Sequence, residues 1–249
     1  MRKCTYLSTV VIILCLVVSK NSFAQVVNRD SSSQQNALNN TLTLFYASIG
    51  RQAPLYNGTE YYFYDPSIKG SAYFLDVKAF TPGSVYYDGL AYTGVPMLYD
   101  LYSDKLVVLL YNHFSKYALI KQKVQNFDFL DHHFININAD TLSANSVISS
   151  GFYDELYNGK SQILAKRSKN IQTSTGGQTS ESYFDSKTEY FIRKKNIYYS
   201  FSGKGSLLDV LKDKKKELKQ YIRANQLNFS REPEEAMVKI ASYYDHLIN

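Results

Sequence analysis

Carboxylates beside tyrosines are the most chemically suggestive residues of this chain. Tyr87-Asp88, Tyr99-Asp100 and Tyr153-Asp154 repeat one dipeptide, and Glu155 follows the last of them. Paired acids of this kind could cleave a glycosidic bond, one as proton donor and the other as nucleophile or base. That chemistry needs the two carboxyls roughly 5–9.5 Å apart across a cleft. Asp88 already has a task, because Asp88-Gly89 is a turn pair. His132-His133, with Asp128 and Asp131, offers metal-ligand types. Adjacent strand residues point to opposite faces, however, and a metal site needs its ligands to converge. An exposed turn Asp131-His132-His133 accounts for them more simply.

Lys166-Arg167 with Lys169 could hold an anion, or could be a charged strand edge that discourages aggregation. The chain has 23 tyrosines, 14 phenylalanines and no tryptophan. A tyrosine ring is apolar and its hydroxyl polar, so tyrosine stripes suit glycans or proteins; they also fill half-exposed sheet faces. The candidate binding residues are therefore Tyr87, Tyr99, Asp100, Tyr153, Asp154, Lys166 and Arg167. No metal or cofactor is expected. His113 and His246 lack ligand partners at metal spacing, and no nucleophile elbow, phosphate-binding glycine loop or His-Glu-x-x-His helix occurs.

The elements that must position these residues are β-hairpins. Asp88-Gly89 closes one, pairing Tyr87 with Leu90 and Val85 with Tyr92. The apolar parity then slips from Leu90 and Tyr92 to Met97, Tyr99 and Leu101, so a bulge or break is expected at Gly94-Val95-Pro96. A turn at Ser103-Asp104 would pair Leu101 with Leu106 and Tyr99 with Val108. A three-residue loop at 131–133 would pair Phe129 with Ile135 and Phe127 with Ile137, and Asn158-Gly159 would pair Tyr157 with Lys160. A strand is expected over Tyr61 to Tyr64, a polar loop over 172–182, and two last strands over 189–193 and 197–201. Beyond Gly205 the period changes to helical. Leu207, Leu211, Leu218 and Ile222 form one stripe, with Ser206 as a cap, and Met237, Ile240, Ala241, Tyr244 and Ile248 form another.

The start of the chain reads as a secretory signal over residues 1–24. Arg2 and Lys3 precede the apolar run Val10 to Val18, and Ser22-Phe23-Ala24 offers a cleavage site. That run is too short to span a bilayer, so no transmembrane span is expected after cleavage. Cys4 and Cys15 both fall inside the signal, which leaves a cysteine-free mature chain. Losing Arg2, Lys3 and Lys20 lowers the formal charge from +6 to +3, too mild a balance for nucleic acid. The expected organisation is a polar linker over 25–35, an antiparallel β domain over 36–205 beginning with a short helix over 36–49, and a helical hairpin over 206–249 packed on it.

Leu55-Tyr56-Asn57-Gly58, Gly83 to Leu101, Gly151 to Gly159, Leu164-Ala165-Lys166-Arg167 and Leu208 to Tyr221 resemble stretches of a group of exported Bacteroidota proteins to which no activity attaches. The resemblance implies a protein of the cell envelope. Asp140-Thr141-Leu142 is similar to the O-glycosylation acceptor of exported proteins in that phylum, which makes Thr141 a candidate site. The fold expected is mostly β, an antiparallel meander forming an open barrel or strongly curved sheet, with the helical hairpin behind it. The function expected is non-enzymatic binding or scaffolding in the periplasm or at the cell surface, with an envelope protein or glycan as partner. The alternative is a hydrolase of envelope or dietary polysaccharide.

Overall fold

The computed structural model describes residues 41, 54–110, 112–139, 147–175 and 180–248. The expected signal, the polar linker, Thr141 and all but Thr41 of the expected first helix lie outside these residues. Eleven antiparallel strands form one sheet that does not close. They are β1 (Thr59–Glu60), β2 (Thr81–Tyr87), β3 (Leu90–Asp100), β4 (Lys105–Leu109), β5 (Lys116–Ala118) and β6 (Val124–Phe129). β7 (His132–Ile137), β8 (Gly151–Asn158), β9 (Gln162–Ser174), β10 (Glu181–Lys194) and β11 (Ile197–Phe201) complete it. From edge to edge the order is β1-β5-β4-β3-β2-β6-β7-β8-β9-β10-β11.

The turn chemistry explains the hairpins. Asp88 and Gly89 both take positive φ, and Tyr87 faces Leu90 while Val85 faces Tyr92, as the sequence predicts. Beyond them Gly83 faces Val95, so β3 carries one residue more than β2 and the strand is bulged at Thr93-Gly94. Gly94 sits at φ +66° with open space around it. The expected parity slip is therefore a bulge within one long strand.

Two registers differ from expectation, with different consequences. In the β3–β4 hairpin Asp100 pairs with Lys105 and Tyr99 with Leu106, two places from the predicted register. Asp100 causes this by holding a wider turn: its carboxylate accepts hydrogen bonds from the Tyr102 and Ser103 amides at 2.9 and 3.1 Å. An even slip keeps each side chain on its face, so Met97, Tyr99, Leu106 and Val108 still share one core. In the β6–β7 hairpin Leu130 and Asp131 take positive φ and close a two-residue turn, with Phe129 opposite His132 and Phe127 opposite Phe134. This slip is odd and turns β7 over. Phe134 enters the core, Ile135 and Ile137 move to the other face, and the histidines leave the turn tip for the strand. Stacking of Phe134 on Phe127, at 4.7 Å between ring centres, accompanies the tighter turn.

Other boundaries move as well. Tyr61 to Tyr64 is not strand, residues 172–174 and 181–182 of the expected loop belong to β9 and β10, and Tyr157 pairs with Ile163 rather than Lys160. The C-terminal region has three helices: α1 (Lys204–Val210), α2 (Lys215–Ala224) and α3 (Pro233–Leu247). Gly203 takes the cap position of α1, and Ser206 Oγ accepts the Gly203 amide at 3.2 Å from the first turn. Ile248, expected on the buried stripe, follows the end of α3 and is 39 % exposed.

The sheet curves until the β3–β4 turn reaches β9, where the Lys169 amide donates to the Leu101 carbonyl at 3.2 Å. Inside the curve Phe127, Phe129, Phe134, Phe152 and Tyr99 form an aromatic core with Phe74. Along the same strands a second core is closed by the helices, whose Leu207, Leu211, Leu218, Ile240 and Tyr244 pack on Ile163, Ile192 and Phe201. Asp245 near the end of α3 caps the β8–β9 turn, accepting the Ser161 amide and the Tyr157 hydroxyl at 3.0 Å each. No described helix is long and apolar enough to cross a membrane.

The register makes a prediction for β7. Phe134→Ala should destabilise by about 3–5 kcal/mol and Ile135→Ala by much less, as read by chemical denaturation. The reverse order would restore the register with Ile135 in the core.

Candidate binding site

Strand alternation separates the neighbours Lys166 and Arg167, and each finds an acid, half-buried Asp104 for the first and buried Asp154 for the second. Lys166 reaches the seam where the β3–β4 turn meets β8 and β9, and its ammonium binds Asp104 Oδ2 at 2.8 Å and the Phe152 carbonyl at 3.0 Å. Lys121 binds the same Oδ2 at 2.9 Å, and the Tyr99 hydroxyl donates to Oδ1 at 2.7 Å. Burial alone would raise the Asp104 carboxyl, but the two ammonium groups outweigh it and hold it below the usual range. Burial also lowers the Lys166 ammonium against the pull of Asp104, and drives the Tyr99 hydroxyl well up. Gly151 lets this seam close, since a Cβ there would meet Lys166 Nζ and Asp104.

Arg167 lies on the concave face. It donates to Asp154 Oδ2 from Nε at 2.8 Å and from Nη2 at 2.5 Å, and its Nη2 also reaches Glu234 Oε2 of α3 at 2.9 Å. His132 Nδ1 lies 2.8 Å from the same Asp154 oxygen, and the His132 ring meets Phe74 edge-on. Glu234 accepts the Tyr190 hydroxyl at 2.8 Å, and burial together with that carboxylate pushes Tyr190 up to about 12. His133 turns the other way, to Asp128 at 2.6 Å. The paired histidines are thus strand residues of opposite faces, not an exposed turn. Among the described residues no three metal-ligating side chains converge.

Asp100, fully buried, forms a third knot. Its carboxylate accepts the hydroxyls of Tyr61, Tyr64 and Ser103 at 2.9, 2.6 and 2.5 Å. Burial drives the Tyr61 and Tyr64 hydroxyls up, with the Tyr73 hydroxyl adding to it for Tyr61 and Asp100 for Tyr64. These tyrosines pin residues 61–73 across the outer face of β3 and β4, where Tyr61 and Tyr73 bury Leu98 and Val107. The isolated bridge between Lys69 and Tyr183 ties the same segment to β10.

Between this segment and β10 lies a cavity of about 330 Å³. Its walls include the rings of Phe63, Tyr64, Tyr73 and Phe184, and Asp65 and Lys78 stand at it as acid and base. Asp65 accepts the Ser67 amide at 2.8 Å, which holds its carboxyl below the usual range. Lys78 makes no ion pair or hydrogen bond among the described residues. Phe63 is 52 % exposed and Tyr62 73 %, and the Lys116 ammonium rests over the Phe63 ring at 4.8 Å. Exposed rings beside a concavity can stack on the apolar faces of a ligand, while an ammonium and a carboxylate at its wall can fix its polar groups.

The structure thus gathers Tyr99 and Lys166 at one knot and Asp154 and Arg167 at the next, with Asp100 in a third. Tyr87 is buried in the aromatic core, and Tyr153 packs on the other face with its hydroxyl on the Ser149 carbonyl at 2.8 Å. Lys166, Arg167 and Lys169 are neither a charged edge nor an open anion site, because β10 pairs with this stretch of β9 on one side, the β3–β4 turn meets it on the other, and all three side chains are paired with acids. Sequence reasoning missed Asp104, Lys121 and Glu234, which meet their partners across 62, 17 and 67 residues. It missed the cavity as well. The signal there was the unalternating run Tyr61 to Tyr64, since four successive aromatics do not make a strand with one solvated face.

The depressed Asp104 carboxyl fixes a pH dependence. Its stabilising contribution is fully present above the ordinary carboxylate range and is lost as pH falls below about 4 through its lower folded value. In Asp104→Asn the acid limb of a melting-temperature profile should flatten, with a lower melting temperature at neutral pH; an unchanged acid limb would contradict it. Compared with known proteins, the chain matches no family model, and no curated protein or solved structure matches it either.

Proposed function

We propose that the chain is an exported binding protein of the cell envelope, acting without catalysis, that holds a glycan or a protein segment at the cavity lined by Phe63, Tyr64, Tyr73 and Phe184. The observation that carries this is the contrast between two sets of polar groups. Asp100, Asp104 and Asp154 are turned inward and occupied by tyrosine, lysine, arginine and histidine partners. Such acids lock a fold. The ammonium of Lys78, which has no partner among the described residues, and the half-exposed ring of Phe63 stand instead at an open concavity. Export rests on the leader-like first 24 residues. A polysaccharide hydrolase would need a carboxyl free to give a proton to the leaving oxygen, and the same experiment separates the two readings.

Without tryptophan, the tyrosines report binding directly by fluorescence. Titration with oligosaccharides from bacterial envelopes and plant cell walls should show saturable quenching by at least one, with no release of reducing ends. Phe63→Ala should weaken that binding about tenfold or more, as expected for loss of an aromatic anchor, and Lys78→Ala should weaken it for anionic ligands. Turnover of a bound oligosaccharide abolished by Asp154→Asn, in a variant that still folds, would replace binding by hydrolysis.

A further inference from the structure

At the far edge of the sheet, the surface shares no lining residue with the cavity. Among the described residues β11 is the last strand and pairs only with β10. Lys195 and Asn196 both take positive φ and close a two-residue hairpin, with Lys194 opposite Ile197. In such a hairpin the flanking pair is hydrogen-bonded and the pairs then alternate. Ile197, Tyr199 and Phe201 therefore spend their backbone groups on β10, while Tyr198 and Ser200 direct theirs at the open edge. Beside that edge a groove of about 520 Å³ runs between β11 and α1. Ile197, Tyr199 and Val210 give it an apolar floor, and Ile197 and Tyr199 are 50 % and 39 % exposed. Its polar rim is basic. Lys194 is paired with Asp213, and Asp209 with Lys215. Lys195 and Lys212 have no carboxylate partner among the described residues.

We propose that β11 is a docking edge for an extended acidic segment of a partner protein, which adds as a further antiparallel strand. The ladder bonds come from Tyr198 and Ser200. Alternate apolar side chains of the segment enter the groove over Ile197 and Tyr199, and acidic side chains beyond them meet Lys195 and Lys212. Main-chain bonds supply affinity in this mode and the pockets for alternate side chains supply specificity. The charge argues against a second copy as the occupant. Lysines at an edge repel a like edge, and the acids nearest the groove, Asp209 and Asp213, are already paired.

The test uses a fluorescent eight-residue peptide with Val, Val, Glu and Glu at its odd positions and Thr at its even ones. In antiparallel addition its glutamates lie toward the Lys195 end. Fluorescence polarisation with the full chain should show saturable binding, and replacing both Glu by Lys should weaken it at least tenfold. Ser200→Pro removes only an outward N–H, so it should abolish binding while leaving the melting temperature within a few degrees. The double charge reversal Lys195→Glu, Lys212→Glu should invert the preference between the two peptides, which keeps the test decisive if Ser200→Pro fails to fold. No binding of the acidic peptide, equal binding of both, or binding indifferent to both variants would overturn the proposal. So would a dimer in sedimentation that Ser200→Pro disperses, because the edge would then serve a second copy.

Discussion

The ion pair of Arg167 with Asp154 is the interaction on which the architecture turns. An open sheet with this curvature leaves a gap between the part that closes over its own aromatic core and the part that the helices close. Asp154, only 2 % exposed, stands in that gap. Burying its charge alone would cost several kcal/mol, so the carboxylate must be met by donors, and Arg167 and His132 meet it. Arg167 then has a donor left for Glu234, which brings the start of α3 to the sheet. Met237, Ile240 and Tyr244 follow one helical face onto the second core, and Asp245 fastens the far end of the helix to the β8–β9 turn. Electrostatics set where the helix lands, and apolar burial makes it stay.

The same logic recurs at the other two knots. Asp104 binds Lys121 and Lys166 across the seam, and Asp100 gathers the hydroxyls that hold residues 61–73 against the outer face. Each knot sits where backbone hydrogen bonding cannot continue: a seam, a sheet–helix junction, a crossing segment. Local pairing holds the meander together, whereas these acids hold parts of the chain far apart in sequence. Their task also explains why the conspicuous carboxylates do not face a cleft. The two surfaces proposed for ligands are elsewhere: the aromatic cavity, and the edge of β11 that is unpaired among the described residues.

Much of this was legible in the sequence, for identifiable reasons. Alternation and the Asp88-Gly89 pair gave the β2–β3 register, and the parity slip located the bulge at Gly94. The β3–β4 register was misplaced by two and the core survived, because face identity repeats every two residues. The β6–β7 register was misplaced by three and the face was lost. Leu130-Asp131 is not a composition that announces a tight turn, and Phe134 and Ile135 fit a core equally well by type. The long-range partners were not legible at all. Lys166 and Arg167 stood out as charged residues, yet nothing local says that one reaches Asp104 and the other Glu234.

A double-mutant cycle on Asp154 and Arg167 tests the central claim most directly. Asp154→Asn, Arg167→Met and the double variant would be compared by denaturant unfolding at neutral pH. If the pair is the buried lock described here, each single change should destabilise by about 3–5 kcal/mol and the double by clearly less than their sum, because either change alone leaves the other member's buried charge with only its weaker partner, Glu234 for Arg167 or His132 for Asp154. Additive losses, or an Asp154→Asn variant as stable as the parent, would mean that the carboxylate is not held for structure. It would then be free for the chemistry that its position beside Tyr153 first suggested.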